Sequence, residues 1–227
     1  MNWEIFLAPY TQAVDELKIK LKGMRKQFDY ESRHSPIEFV TGRVKPISSI
    51  IEKAKRRDIA MTNVEEEIQD IAGLRVVCPF VEDIYEIVDM LRLRKDFTIV
   101  EEKDYIEKNK ESGYRSYHVI ITYPVETIYG EKRLLAEIQI RTLAMNFWAI
   151  NEHSLNYKYS GQIPTEITQR LKNASEAAFR LDEEMSKIRQ EIRDAQEVFR
   201  RKRIRRGRSR DNEVCDPVPR RSRFKRN

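Results

Sequence analysis

The sequence predicts an α+β fold: a mixed β-sheet flanked by helices, with a long helix at each end of the chain. Two observations predict it. Apolar residues recur at alternating steps of three and four near both ends, which is the spacing of one helix face. Between those ends lie short β-prone runs separated by turn residues and helical stretches, as in a sheet with its connections.

Taken in order, the first stripe is Leu7, Tyr10, Val14, Leu17, Leu21, Met24 and Phe28, with Lys18, Lys22, Arg25 and Lys26 on its flank. On composition that flank reads either as a solvated face or as an anion site. His34-Ser35-Pro36 breaks the helix. Residues 38–46 form a short extended piece, and a helix from about Ser48 to Arg57 follows. Residues 64–72 read as a helix ending at Gly73, before a strand over 74–80. Val81 to Lys95 is a helix with Ile84, Ile87, Val88 and Leu91 on one side; Phe97 to Lys103 is a strand; residues 104–113 form a polar loop. Ser116 to Val125 alternates and turns at Tyr129-Gly130-Glu131-Lys132 into a hairpin partner over 134–142. Leu143 to Tyr157 is helical and stops at Gly161-Gln162-Ile163-Pro164. From Thr165 to about Arg200 the stripe resumes, Ile167 through Phe199, for about five heptads. This coiled-coil-like seam, thinned by Ala174, Ala178 and Ala195, expects the first helix as partner, in the same subunit or another, and so an oligomer.

With 227 residues the chain can bury one full core. Its 40% apolar and 35% charged residues suit a helix-rich protein with much exposed surface. No apolar run spans a bilayer, and Met1-Asn2-Trp3-Glu4 does not start like a signal peptide. Cys78 and Cys215 read as reduced thiols, which fits a cytoplasmic protein. The net charge of +6 is uneven: residues 200–227 hold 13 Lys or Arg against three acids, leaving the remainder acidic. The organisation expected is one domain over 1–202 and a basic, disordered tail over 203–227.

Two acids sit beside β-prone runs: Asp70 just before Leu74–Phe80, and Glu137 within Leu134–Thr142. An acid in an apolar strand is costly unless compensated. From neighbouring strands the two would share a divalent cation. Arg43, Lys45, Ser49, Lys53 and Arg56 gather donors around one helix; Ser49, Lys53 and Arg56 share its face. They form a polyphosphate grip or a solvated basic helix. The sequence has no Gly-Lys-Ser/Thr phosphate loop, no Gly-x-Gly-x-x-Gly and no His-Glu-x-x-His, so phosphate must be held by side chains. Tyr114, following Gly113 at the base of the polar loop, is either a nucleobase platform or a core residue, with Lys110 and His118 flanking it.

Thr41-Gly42-Arg43-Val44-Lys45-Pro46, Asp70-Ile71-Ala72-Gly73-Leu74-Arg75, Gly113-Tyr114-Arg115-Ser116-Tyr117-His118 and Glu137-Ile138-Gln139-Ile140-Arg141-Thr142, in this order, resemble the RelA/SpoT synthetase domain. With Ala144-Met145-Asn146-Phe147-Trp148-Ala149 downstream, they are similar to the single-domain small alarmone synthetases of the RelQ type over about residues 3–202. The resemblance implies a nucleotidyltransferase-like sheet and Mg²⁺-dependent transfer of pyrophosphate from ATP to the 3′-OH of GDP or GTP. It implies Asp70 and Glu137 at the metal, with Glu137 as general base. Arg43 and Arg75 would sandwich adenine, and Lys45, Ser49, Lys53 and Arg56 would hold the ATP phosphates. Tyr114 would stack on guanine, Asn146 would read its edge, and Lys103, Lys110, His118 and Gln139 would line the acceptor side.

Long relatives carry a hydrolase domain with a metal-binding His-Asp pair. None of His34, His118 and His153 precedes an Asp, and only about 40 residues lie ahead of the first motif, so synthesis without hydrolysis is expected. The subgroup also implies a homotetramer and a pppGpp effector cleft at Lys18, Lys22, Arg25, Glu38, Phe39, Thr41 and Asn146. The resemblance moves the basic flank of the first helix toward an anion site. The basic tail would bind RNA or a membrane surface nonspecifically, or serve solubility. The competing reading is a regulatory nucleotide- or RNA-binding protein that kept the fold and lost turnover.

Overall fold

A computed structural model describes residues 2–108, 110–158 and 164–211. They form two compact units, one to Ser186 and one from Lys187. The first holds a five-stranded sheet of β1 (Phe39–Val44), β2 (Ala72–Cys78), β3 (Thr98–Asp104), β4 (Tyr117–Thr127) and β5 (Gly130–Thr142). Their spatial order is β1-β2-β5-β4-β3. Only β2 and β5 run parallel; the other neighbours are antiparallel, so the sheet is mixed as expected.

α1 (Trp3–Tyr30) starts at Asn2, whose side chain accepts from the Glu4 and Ile5 backbone N–H groups. It lays Tyr10, Val14, Leu17, Leu21, Met24 and Phe28 into the core. At Gly42 it comes so close to β1 that a Cβ there would meet Val14 Cγ1 at 2.9 Å. α2 (Ile47–Arg56) buries Ile50 and Ala54, and α4 (Val81–Arg92) buries Ile84, Ile87, Val88 and Leu91. α5 (Leu143–Lys158) follows β5 directly. α6 (Thr165–Asp211) contributes Thr165–Ser186 to the first unit.

Several expectations shift. The helix expected over 64–72 shrinks to α3 (Val64–Glu67), and Gly73 lies inside β2 instead of ending a helix. Ile68 and Ile71 both bury fully, which draws the chain into the core before a second turn forms. Tyr117, Val119, Ile121 and Tyr123 share one buried face, yet His118 and Ile120 on the other face are buried too. α6 runs past Arg200 to Asp211, consistent with the helix propensity of Arg and Lys. The expected tail over 203–227 is therefore helical to Asp211, and beyond that it lies outside the described residues.

The seam expected between the two terminal helices is not closed within the first unit. The stripe of α1 faces the sheet, while Leu181 and Met185 stay exposed. In the second unit, Ile188, Ile192 and Phe199 are exposed as well. No helix among the described residues is long and apolar enough to cross a membrane.

Thr142 joins three elements. It ends β5, accepts from the Met145 N–H to cap α5, and donates to buried Asp182 of α6 at 2.6 Å. Burial pushes the Asp182 carboxyl up to about 6 from 3.8; the Thr142 hydrogen bond opposes this and Glu82 adds to it. The folded chain thus binds this proton more tightly than the unfolded one. Stability attributable to Asp182 falls as pH rises from about 4 to about 6. Asp182→Asn, which keeps an acceptor for Thr142, raises Tm at pH 8 by about 2–4 °C and has little effect at pH 4. Thermal melts at the two pH values check this; an equal shift at both contradicts it.

Candidate active site

The β2–β5 pairing sets the site. Gly73 of β2 lies opposite Glu137 of β5, and Asp70 stands just ahead of β2. Glu137, Gln139 and Arg141 project to one face by the two-residue repeat of a strand. Asp70 and Glu137 both line two adjoining cavities, of about 510 and 260 Å³, along with Arg43, Arg75 and Gln139.

Each acid is already engaged. Asp70 accepts from Lys45 Nζ (2.9 Å) and Lys53 Nζ (2.8 Å). Burial raises its carboxyl, but Lys53 and Lys45 outweigh this and hold it below the ordinary value. Glu137 faces His118 Nδ1 at 2.9 Å and accepts from Gln139 Nε2 at 2.7 Å. Burial again raises the carboxyl, Asp70 adds a smaller push the same way, and His118 and Gln139 bring it below its ordinary value. Both acids are therefore ionised at neutral pH. The cavities also carry Arg75, whose Nε is buried without a hydrogen-bond partner. Burial, then Arg141 and Arg43 close by, depress its pKa. Planar guanidinium groups grouped this way suit an anion or an aromatic ring as ligand.

The larger cavity includes Lys103, Tyr105, Lys110, Tyr114 and His118 on its β3–β4 side. Tyr114 is half-buried, with Lys110 and Arg141 over its ring at 4.8 and 5.0 Å. Gly113 before it has φ +88, and a Cβ there would stand 2.8 Å from Ser175 Cβ of α6. Arg115 bonds Ser175 Oγ (3.1 Å) and Glu176 (2.9 Å), tying this loop to α6. At the other end of the loop Asp104 accepts from the Ile106 and Glu107 N–H groups and from the Tyr85 hydroxyl, presenting Tyr105 edge-on to Tyr114 and His118.

Most site residues expected from sequence thus converge: Arg43, Lys45, Lys53, Asp70, Arg75, Lys103, Lys110, Tyr114, His118, Glu137 and Gln139. Three do not reach the cavity walls. Ser49 and Arg56 lie along the α2 face to either side of Lys53, and Arg57, just past the end of α2, lines the wall instead. Asn146 is buried in α5 with its Oδ1 unpartnered, off the lining of both cavities. Sequence reasoning assigned no role to Arg57, Gln69, Tyr105 or Arg141. Only Arg141 had a usable signal, its i+4 relation to Glu137 on one strand face.

Of the positions expected for an effector, Glu38, Phe39 and Thr41 lie at or just before β1 and Lys18 and Arg25 of α1 reach that edge, whereas Asn146 lies in α5. The Lys18 stem covers Gly42, Arg25 Nη1 donates to the Glu38 carbonyl, and Thr41 lines the smaller cavity.

The donor set suits a hard divalent cation held jointly with phosphate. Mg²⁺ takes one or two carboxylates and completes its shell with phosphate oxygens and water. Two ionised acids flanked by lysines and arginines suit an enzyme that handles nucleotide polyphosphates. The family described as "Region found in RelA / SpoT proteins" matches residues 42–162, and the chain belongs to that family. It is 63% identical over 201 residues to the GTP pyrophosphokinase YjbM of Bacillus subtilis, covering 88% of this chain and 95% of that one. The crystal structure of small alarmone synthetase 1 from Bacillus subtilis bound to its product pppGpp superposes with TM-score 0.82 at 64% identity, covering 84% of this chain and 97% of that chain. The same synthetase bound to AMPCPP superposes with TM-score 0.76 at 59% identity, covering 85% and 98%.

Lys53→Met removes one of the two cations on Asp70. Affinity for a non-hydrolysable ATP analogue falls roughly tenfold, the worth of one charge-assisted hydrogen bond. Calorimetric titration measures it; unchanged affinity would remove Lys53 from the phosphate grip.

Proposed function

We propose that the chain transfers pyrophosphate from ATP to the 3′-hydroxyl of GDP or GTP, giving ppGpp or pppGpp and AMP, without hydrolysing the product. The observation that carries this reading is the joint placement of ionised Asp70 and Glu137 between two cation-lined cavities. The acceptor O3′ attacks the β-phosphorus of ATP, its proton passes to Glu137, and the bond from the β-phosphorus to the bridging oxygen breaks, so AMP leaves with that oxygen. In-line attack needs O3′ roughly 3–3.5 Å from phosphorus. Bringing two polyanions that close requires the surrounding cations.

Arg43 and Arg75 take the adenine between planar guanidinium groups. Lys45 and Lys53 turn from Asp70 to the ATP phosphates, with Ser49 and Arg56 along the same helix face, and this frees the Asp70 oxygens. Asp70 and Glu137 would hold Mg²⁺, which would offset charge on the phosphate oxygens. Tyr114 stacks on guanine, and Lys103, Lys110, His118 and Gln139 line the acceptor side. Asn146 stays buried in α5 off both cavities, so no contact with guanine is drawn for it.

The α1–β1 seam binds pppGpp as effector, through Lys18, Lys22, Arg25, Glu38, Phe39 and Thr41, and the cytoplasmic protein is a homotetramer. Exposed apolar residues on α5 and α6, such as Phe147 and Leu181, support association. The basic tail adds weak RNA binding.

Labelled ATP with GDP and Mg²⁺ yields a 3′-labelled guanosine product on thin-layer plates, and no such product rejects the reading. Glu137→Gln loses product yet still binds both nucleotides; full activity in that variant overturns the base assignment. Sedimentation velocity gives about four chain masses, and a monomer contradicts the tetramer.

A further inference from the structure

Five side chains of the larger cavity close a ring of hydrogen bonds. Arg141 Nη2 donates to Gln139 Oε1 at 2.7 Å, and Gln139 Nε2 donates to Glu137 Oε2 at 2.7 Å. Arg141 Nη2 also donates to the Tyr114 hydroxyl at 2.5 Å. That hydroxyl lies 2.8 Å from His118 Nε2, and His118 Nδ1 lies 2.9 Å from Glu137 Oε1. The β4–β5 register, with His118 opposite Gln139, places the two arms side by side.

The chemistry of each group fixes the direction. A guanidinium only donates. Glu137 only accepts, so His118 Nδ1 carries a proton toward it; in the neutral ring Nε2 is then bare and accepts from the Tyr114 hydroxyl, which itself accepts from Arg141. Gln139 accepts through its oxygen, so its NH₂ faces Glu137. Both arms therefore run from the guanidinium to the carboxylate, one to each oxygen. Arg141 is 4% exposed, its Nε held by Ser116 Oγ at 3.2 Å, and it forms no ion pair among the described residues. A buried guanidinium without a carboxylate contact is costly unless its hydrogen bonds do something else.

We propose that Arg141 is a positioning residue. Through Gln139 on one side, and through Tyr114 and His118 on the other, it fixes both oxygens of Glu137 and links the aromatic ring that receives the acceptor base to the group that takes the 3′-proton. The role rests on the reading of Glu137 as base and Tyr114 as platform. Each carboxylate oxygen accepts one bond from the ring and keeps a lone pair for the incoming hydroxyl.

Tyr114→Phe is the decisive variant, because it keeps the aromatic face and removes only the hydroxyl that joins one arm. Nitrogen-15 spectra of the ligand-free full chain, with His118 assigned by its loss in His118→Gln, show the wild-type proton on Nδ1 and a bare Nε2. In Tyr114→Phe the proton stays on Nδ1, held by Glu137, the Nε2 resonance shifts as it loses its donor, KM for GDP stays within about twofold, and kcat falls about tenfold. A wild-type proton on Nε2, or equal kcat in the two proteins, overturns the proposal. The spectra need no substrate. A wild-type protein that makes no alarmone while keeping the Nδ1 proton would therefore fail the functional reading and leave the hydrogen-bond direction standing.

Discussion

The parallel pairing of β2 with β5 is the constraint on which the site depends. It sets Gly73 opposite Glu137, so an acid just before one strand and an acid within the other line the same cavities. The side-chain repeat of a strand is two residues, so a slip of one position would turn Glu137, Gln139 and Arg141 to the opposite face together. The register is secured on both flanks. β1 pairs antiparallel with β2, and the Lys45 N–H donates to the Ile71 carbonyl beside Asp70. β4 pairs with β5 along its whole length.

Charge then explains why so many cations surround two acids. Burial alone would favour the protonated form of both carboxyls. Lys45 and Lys53 on Asp70, and His118 with Gln139 on Glu137, reverse that and keep both anionic. An ammonium is a point charge without a fixed fork, so a lysine trades a carboxylate for a phosphate without reorienting a plane. Arg75 lines the same cavities with its Nε buried and unpartnered, and its planar fork is less adaptable than an ammonium. The Tyr114 side of the larger cavity is organised differently, by packing: α6 comes down on Gly113, Arg115 ties the loop to Ser175 and Glu176, and Asp104 caps the turn that holds Tyr105.

Much of this was legible in the sequence because the ordered motifs carry both the strands and their functional side chains. The two acids, Arg43, Lys45 and Lys53, and Tyr114 with His118 all line the same two cavities, as their motifs implied, while Arg56 does not. What failed did so for tertiary reasons. The stretch at 64–72 has helical composition, but Ile68 and Ile71 are both drawn into the core, which ends the helix early. The stripe of α1 has coiled-coil spacing, yet a sheet accepts it as readily as a helix, and periodicity alone does not name the partner. Arg56 and Arg57 are adjacent basic residues, and only the end of α2 decides which one turns to the cavity. The Arg141 ring was invisible because it depends on the β4–β5 register.

The central claim is that Asp70 and Glu137 serve one metal–nucleotide centre. Electron paramagnetic resonance of Mn²⁺ titrated into the full chain with a non-hydrolysable ATP analogue tests it most directly. The account predicts a nucleotide-dependent bound signal in the wild type, weakened in both Asp70→Asn and Glu137→Gln. Mn²⁺ binding that neither substitution alters would contradict it.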